Sequence, residues 1–113
     1  MLKTSEIEFI KKRLIKKFNP DKVILFGSQA RMDTDNKSDV DLLVITKING
    51  SRRKLMVEMD RALTGLKYAR DIIILSAAEF KKDKLIAGTI ARYASREGRV
   101  IYESCDLIKQ FQG

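Results

Sequence analysis

Three aspartates stand where polar stretches of the chain turn apolar: Asp39 and Asp41 lead into Leu42-Leu43-Val44-Ile45, and Asp71 leads into Ile72-Ile73-Ile74-Leu75. Residues two apart in an extended strand share a face, so the carboxylates of Asp39 and Asp41 are expected on one side, their α-carbons roughly 6.6 Å apart. At an effective dielectric of about 20, two charges about 6 Å apart repel by roughly 3 kcal/mol, and by well under about 1 kcal/mol in water. A partly buried pair therefore calls for a cation. The chain has no His and a single Cys, which leaves oxygen ligands. These favour a hard divalent ion, Mg²⁺ shared with substrate phosphates rather than Ca²⁺ in a dedicated cage. If the strand led by Asp71 lies nearby, a third carboxylate reaches the same end of a sheet, a set suited to two ions about 3.5–4 Å apart.

Upstream, Gly27-Ser28 closes the apolar run Val23-Ile24-Leu25-Phe26. A glycine lets the backbone approach a phosphate closely, and a serine hydroxyl with adjacent amides at a turn opening a helix can donate to phosphate oxygens. Each feature taken singly has a plain structural reading. Gly-Ser after a strand is a turn, Asp-x-Asp at a strand end is a solvated edge, and a lone Asp before Ile-Ile-Ile is a polar strand start. The combination is what chance rarely supplies: Gly-Ser ending one buried strand, ten residues, Asp-x-Asp entering the next, and a third strand led by Asp.

The elements that must position these residues follow from periodicity. Ser5 with Glu8 reads as a capping box, and Ile7, Ile10, Leu14 and Phe18 then recur three and four apart, describing an amphipathic helix that Asn19-Pro20 ends. Residues 23–26, apolar throughout, read as a strand buried on both faces. A polar stretch over 29–38, with room for one short helical turn, precedes the strand at 39–45. Residues 51–64 place Leu55, Met59, Ala62 and Leu63 on one helical face, with Gly65 as the stop. After the strand at 71–75, Ser76 and Glu79 form a second capping-box pattern. It opens a helical region to about Glu97 with Ile86, Ile90, Tyr93 and Ala94 as the expected inner face. Gly98 stops it, and 99–102 is the last strand. The order implies an α/β (α+β) fold, a mixed sheet of about four strands with helices packed on it, in a single domain over 1–113.

Composition narrows the class. The chain has 113 residues, 44% of them hydrophobic, enough for one modest core. With 23 Lys and Arg against 15 Asp and Glu the net charge is +8, which favours polyanionic partners such as nucleotides, RNA or an acidic protein face. Cys105 is alone, so no disulfide framework forms within the chain, and a cytoplasmic setting is expected. No stretch approaches the ~20 apolar residues of a membrane span. The basic runs Lys11-Lys12-Arg13, Lys16-Lys17 and Arg52-Arg53-Lys54 lack interleaved aromatics, which argues against specific single-strand RNA recognition.

Gly27-Ser28, ten residues, Asp39-Val40-Asp41 resembles the Gly-Ser-x10-Asp-x-Asp signature of the DNA polymerase beta nucleotidyltransferase superfamily. More narrowly the chain resembles a minimal nucleotidyltransferase, the short branch paired with HEPN-domain proteins in prokaryotic toxin-antitoxin modules. The likeness runs through 27–31 (Gly-Ser-Gln-Ala-Arg), 38–44 (Ser-Asp-Val-Asp-Leu-Leu-Val) and 97–102 (Glu-Gly-Arg-Val-Ile-Tyr). That resemblance implies that Asp39 and Asp41 hold two Mg²⁺ ions and that Asp71 binds the ion nearest the attacking hydroxyl. It implies that Gly27 and Ser28 hold the triphosphate, with Arg31 and Ser38 as further nucleotide-binding candidates. It implies transfer of AMP from ATP to a hydroxyl, with pyrophosphate leaving, on a cognate HEPN-domain toxin that is thereby neutralised. Two alternatives stay open: an antitoxin that inhibits such a partner by contact alone, and nucleotidyl transfer to a small molecule or RNA. The chain departs from many relatives at Met32, where Gly commonly follows Ala-Arg. A side chain there disfavours positive backbone angles. The segment after Ser104, with Leu107, Ile108 and Phe111 three and four apart, reads as a mobile or partner-docking tail.

Overall fold

The computed structural model describes residues 2–27 and 39–104. Ser28, Arg31, Met32, Ser38, the expected helical turn in 29–38, and the segment carrying Cys105, Leu107, Ile108 and Phe111 lie outside the described residues. In chain order the elements are α1 (Thr4–Phe18), β1 (Lys22–Phe26), β2 (Val40–Ile45), α2 (Arg52–Ala62), β3 (Arg70–Leu75), α3 (Ala77–Asp83), α4 (Ile90–Glu97) and β4 (Arg99–Glu103). The sheet order is β3-β2-β1-β4, with β1 antiparallel to both β2 and β4 and β2 parallel to β3. Among the described residues this is a mixed four-stranded sheet flanked by four helices, the α+β architecture expected.

The two central strands are buried almost along their whole length, because helices cover both faces and leave no solvent side for polar residues. Beneath α1 and α2 lies the larger core, where Ile10, Leu14, Leu42, Val44, Met59 and Leu63 have no exposed surface. Beneath α3 and α4 lies a smaller one around Ile24, Phe26, Leu43, Ile45 and Phe80. The register between β1 and β4 shifts between Val23 and Ile24, so Val23 faces Tyr102 while Ile24 faces Val100. Ile101, left between them, joins Tyr102 on the α1 side of the core, as a bulge allows.

Helix ends show where local rules prevailed and where packing did. The expected Ser5-Glu8 capping box is absent; instead the Lys3 amide donates to Glu6 Oε1 at 2.8 Å, one half of such a box, since a lysine side chain cannot accept the reciprocal bond. The helix starts earlier because Leu2 is buried with Ile7, the apolar pair of a hydrophobic staple, and this places Ser5 inside the first turn. Asn19 ends α1 in the left-handed region at φ 46° and donates its amide to Ile15 O, a conformation asparagine tolerates well. The second capping box stands as expected, with the Ser76 amide donating to Glu79 Oε1 at 2.9 Å and the Glu79 amide to Ser76 Oγ at 3.1 Å.

The expected helix to Glu97 divides into α3 and α4. Thr89 caps α4, accepting from the Arg92 amide at 3.1 Å and donating to Asp83 O at 2.7 Å. The inner face also differs: Ala91 and Ala94 are buried, whereas Ile86, Ile90 and Tyr93 are exposed. Small residues bring the helix close to β1, and that proximity outweighs the pattern of large apolar side chains.

Candidate functional site

The site is built where β1 ends and β2 and β3 begin. The parallel pairing of β2 with β3 puts Asp41 directly opposite Asp71, and the antiparallel pairing of β1 with β2 puts Phe26 opposite Asp41. This register is pinned at both ends, by the Val40 amide donating to Ala69 O at 2.9 Å and the Thr46 amide to Leu75 O at 3.0 Å. Neighbouring strands run about 4.8 Å apart, so one residue of slip would send Asp71 to the other face. Alternation places Asp41 and Asp71 on the side of the sheet that carries Leu43, Ile45 and Phe26.

Gly27 follows Phe26 with φ of 76°, and a Cβ at this position would run into Asp41 Oδ2. Two constraints therefore coincide on one residue. The backbone angle favours glycine, and the closeness of the Asp41 carboxylate leaves no room for a side chain. Asp41 is half-buried, while Asp39 and Asp71 are exposed. Burial pushes the Asp41 carboxyl above its ordinary range, and the charges of Asp71 and then Asp39 push it the same way, because both disfavour a further negative charge. Among the described residues no Lys or Arg pairs with any of the three aspartates, although the chain carries a net +8.

Among the described residues no three His, Cys, Asp or Glu side chains converge into a ready-made metal cage. Two carboxylates in register with a third close by are instead a donor set for a hard ion that completes its shell with water and phosphate oxygens. The uncompensated repulsion on Asp41 fits a cation of that kind.

The structure thus brings together Asp41, Asp71 and Gly27, with Asp39 near enough to act on Asp41 electrostatically. Sequence reasoning did not single out Phe26 as a wall of this end of the sheet. Its ring meets that of Tyr93 edge-on, centroids 6.1 Å apart, so α4 is anchored beside the carboxylates. The available signal was position, since Phe26 immediately precedes Gly27.

Two arginines, Arg70 beside Asp71 and Arg52 toward the other end of β3, are occupied by structural work. Arg52 donates to Ile74 O at 3.1 Å and to Glu79 Oε2 at 3.0 Å, tying α2 to β3 and α3. Arg70 donates to Asp60 Oδ1 at 2.9 Å and to Leu66 O at 3.1 Å.

Comparison with known proteins places the fold and the family. The model of the family "Polymerase beta, Nucleotidyltransferase" matches residues 8–106. A protein of Methanocaldococcus jannaschii named "Putative protein adenylyltransferase MJ0604" is 33% identical over 81 residues, covering 72% of this chain and 77% of its own length. Among solved structures, a toxin-antitoxin crystallised with AMP-PNP superposes with a TM-score of 0.65 at 16% identity, over 93% of this chain and 79% of the other. A Sulfolobus solfataricus protein described as "a putative nucleotidyltransferase" gives 0.59 at 23% identity, over 88% and 81%. These two likenesses concern the fold.

The chain belongs to the polymerase beta nucleotidyltransferase family. It is a nucleotidyltransferase of the minimal type.

Proposed function

We propose that the chain transfers AMP from ATP to a hydroxyl of a partner protein, a HEPN-domain toxin in the cytoplasm, and so acts as its antitoxin. The observation that carries the reading is the in-register pair Asp41 and Asp71 with the Gly27 backbone pressed against Asp41. The name of the M. jannaschii relative and the toxin-antitoxin nature of one structural neighbour support it.

In this reading Gly27 lets the triphosphate approach the backbone, with Ser28, Arg31 and Ser38 assigned to nucleotide contact by family resemblance. Asp39 and Asp41 would hold two Mg²⁺ ions, and Asp71 the one nearer the acceptor. When bound, the ions neutralise phosphate charge and polarise the reacting oxygens. The acceptor oxygen bonds to the α phosphorus, the bond from that phosphorus to the bridging oxygen breaks, and pyrophosphate departs. Asp71, exposed on the outer strand, is the carboxylate the acceptor meets first, and it takes the proton of the hydroxyl. Asp41, half-buried and already repelled by its neighbours, holds its position through the strand register.

The test is incubation with ATP labelled at the α phosphate, Mg²⁺ and the protein encoded by the adjacent reading frame, which this reading takes to be of the HEPN type. Label on that protein is the expected result. A partner silenced without label would favour inhibition by contact, and label on RNA or a small molecule alone would move the chain to another acceptor class. ATP titrated without a divalent ion should bind markedly more weakly, because phosphate oxygens and carboxylates then meet uncompensated.

A further inference from the structure

Asp71 is held in place by its own strand and by no side-chain contact. Its carboxylate is exposed, and among the described residues it accepts no hydrogen bond and forms no ion pair. β3 is the outer strand of the sheet and pairs with β2 alone, and Asp71 is its second residue. The ends of an edge strand are where local opening costs least. On the β2 side this end is held by the bond from the Val40 amide to Ala69 O. A carboxylate that must stay opposite Asp41 needs a second restraint on the strand that carries it.

Arg70 supplies one from the other direction. Alternation sends its side chain to the α2 side while Asp71 projects from the opposite face, so the guanidinium leaves the neighbouring carboxylate unpaired. Only 14% of the Arg70 side chain is exposed, and all three of its nitrogens are engaged. Nε donates to Asp60 Oδ1 at 2.9 Å, one terminal nitrogen to Leu66 O at 3.1 Å and Tyr68 O at 3.3 Å, and the other to Asp60 O at 3.5 Å. These acceptors belong to the C-terminal end of α2 and to the connection leading into β3, which Leu63, Leu66 and Tyr68 anchor in the larger core. The entry of β3 is thus tied to a helix whose Met59 has no exposed surface. Lysine, a point charge without a fixed fork, cannot reproduce this set of bonds.

We propose that Arg70 is a positioning residue for nucleotidyl transfer: its guanidinium clamps the start of β3 to α2 and so keeps the Asp71 carboxylate opposite Asp41 at the reacting end of the sheet. The inference rests on the reading above that Asp71 meets the acceptor, and it gives Arg70 no contact with nucleotide, metal or acceptor. Loss of the clamp frees the first residues of the edge strand and displaces Asp71. Asp41 and Gly27 stay in place, because β2 and β1 each have a strand on both sides. The effect therefore falls on turnover rather than on ATP binding, since misplacing a reacting group costs rate steeply.

The deciding experiment compares wild type, R70K, Asp60→Ala and Asp71→Asn at a temperature where all are folded, with α-labelled ATP, Mg²⁺ and the protein encoded by the adjacent reading frame as acceptor. For R70K, kcat should fall by about tenfold or more while KM for ATP stays within roughly twofold of wild type. Asp60→Ala should lower kcat by less, since three carbonyl contacts remain, and it decides alone if R70K does not fold. Amide hydrogen exchange reads the clamp directly. In R70K the Val40 amide, bonded to Ala69 O, should exchange about tenfold faster, whereas the Thr46 amide, bonded to Leu75 O at the far end of the same strand pair, should not. A folded R70K with wild-type kcat overturns the inference, and so does a fall in kcat accompanied by equal loss of protection at Val40 and Thr46, the mark of general destabilisation. If R70K is as fast as wild type while Asp71→Asn is inactive, Arg70 is structural only and the reading of Asp71 stands. If Asp71→Asn is as fast as wild type, or the wild type labels no acceptor, the transfer reading falls and the inference with it.

Discussion

The two sides of the sheet are built for different purposes. Under α1 and α2, side chains from the helices and the sheet close on one another with little exposed surface, and the helix faces match their apolar periodicity. Under α3 and α4 the core is smaller, the inward residues of α4 are two alanines, and the large apolar side chains point outward. The carboxylates Asp41 and Asp71 lie on this second side. One face therefore provides the stability that lets the other carry features that are locally unfavourable: clustered like charges, and a turn pressed against a carboxylate.

The sharpest way to break this contrast is Asp41→Asn. Nucleotidyl transfer should fall by roughly 10²–10³-fold, the scale of losing one electrostatic contact in a transition state. The fold should not suffer. Replacing the residue that burial and two neighbouring charges push toward protonation relieves repulsion, and the melting temperature should stay level or rise by about 2–5 °C. A variant that melts well below wild type yet remains active would make Asp41 a structural residue and dissolve the distinction between the two sides.

Next in size is a paired test of the helical layers. Leu14→Ala, at a position without exposed surface, should cost about 2–5 kcal/mol in denaturant titration, while Ile90→Ala at an exposed position of α4 should stay within about 0.5 kcal/mol of wild type. Comparable losses at both would mean that Ile90 belongs to the core after all.

How much of this was legible in the sequence divides along the same line. The strands, their order along the chain, and the helix face of Leu55, Met59 and Leu63 could be read because burial and periodicity agree there. Asp39-Val40-Asp41 and Gly27 were legible as a combination of spacing and residue type. What could not be read was the in-register pairing of Asp41 with Asp71, since strand order is set by tertiary packing and leaves no local mark. The inner face of α4 was misread for a related reason. A pattern of large apolar residues reports that a face is meant to be covered, without saying whether this chain or another covers it, and Ala91 and Ala94 are too small to compete in such a pattern.

Gly27→Ala sharpens the comparison at a single atom. A methyl group there would have to occupy the space of Asp41 Oδ2 at a backbone angle that disfavours it. The expected loss is about 1–3 kcal/mol of stability, accompanied by weaker binding of Mg²⁺-ATP. If stability falls but nucleotide affinity, measured by calorimetry, is unchanged, the turn serves the fold alone.

The smallest effect concerns the α3 cap, which lies on the functional side yet behaves like ordinary structure. Ser76→Ala removes the hydroxyl that accepts from the Glu79 amide and should cost about 0.5–2 kcal/mol. Its acidic partner gives the more telling test. The Ser76 amide, and after it the Arg52 guanidinium, hold the Glu79 carboxyl below its ordinary value of 4.5. A lowered carboxylate stabilises the fold above its unfolded pKa, and that contribution disappears as pH falls through the lowered folded value. Asp41 has the opposite sign: its raised pKa means that ionisation costs stability as pH climbs from 3.8 through the raised folded value. Melting curves of wild type, Glu79→Gln and Asp41→Asn from pH 3 to pH 7 should therefore diverge in opposite directions. The Glu79 variant should match wild type in acid and fall below it near neutrality. The Asp41 variant should also match it in acid, and rise above it as the wild-type carboxyl ionises. Two variants that shift the same way with pH would show that the carboxylates share one electrostatic environment.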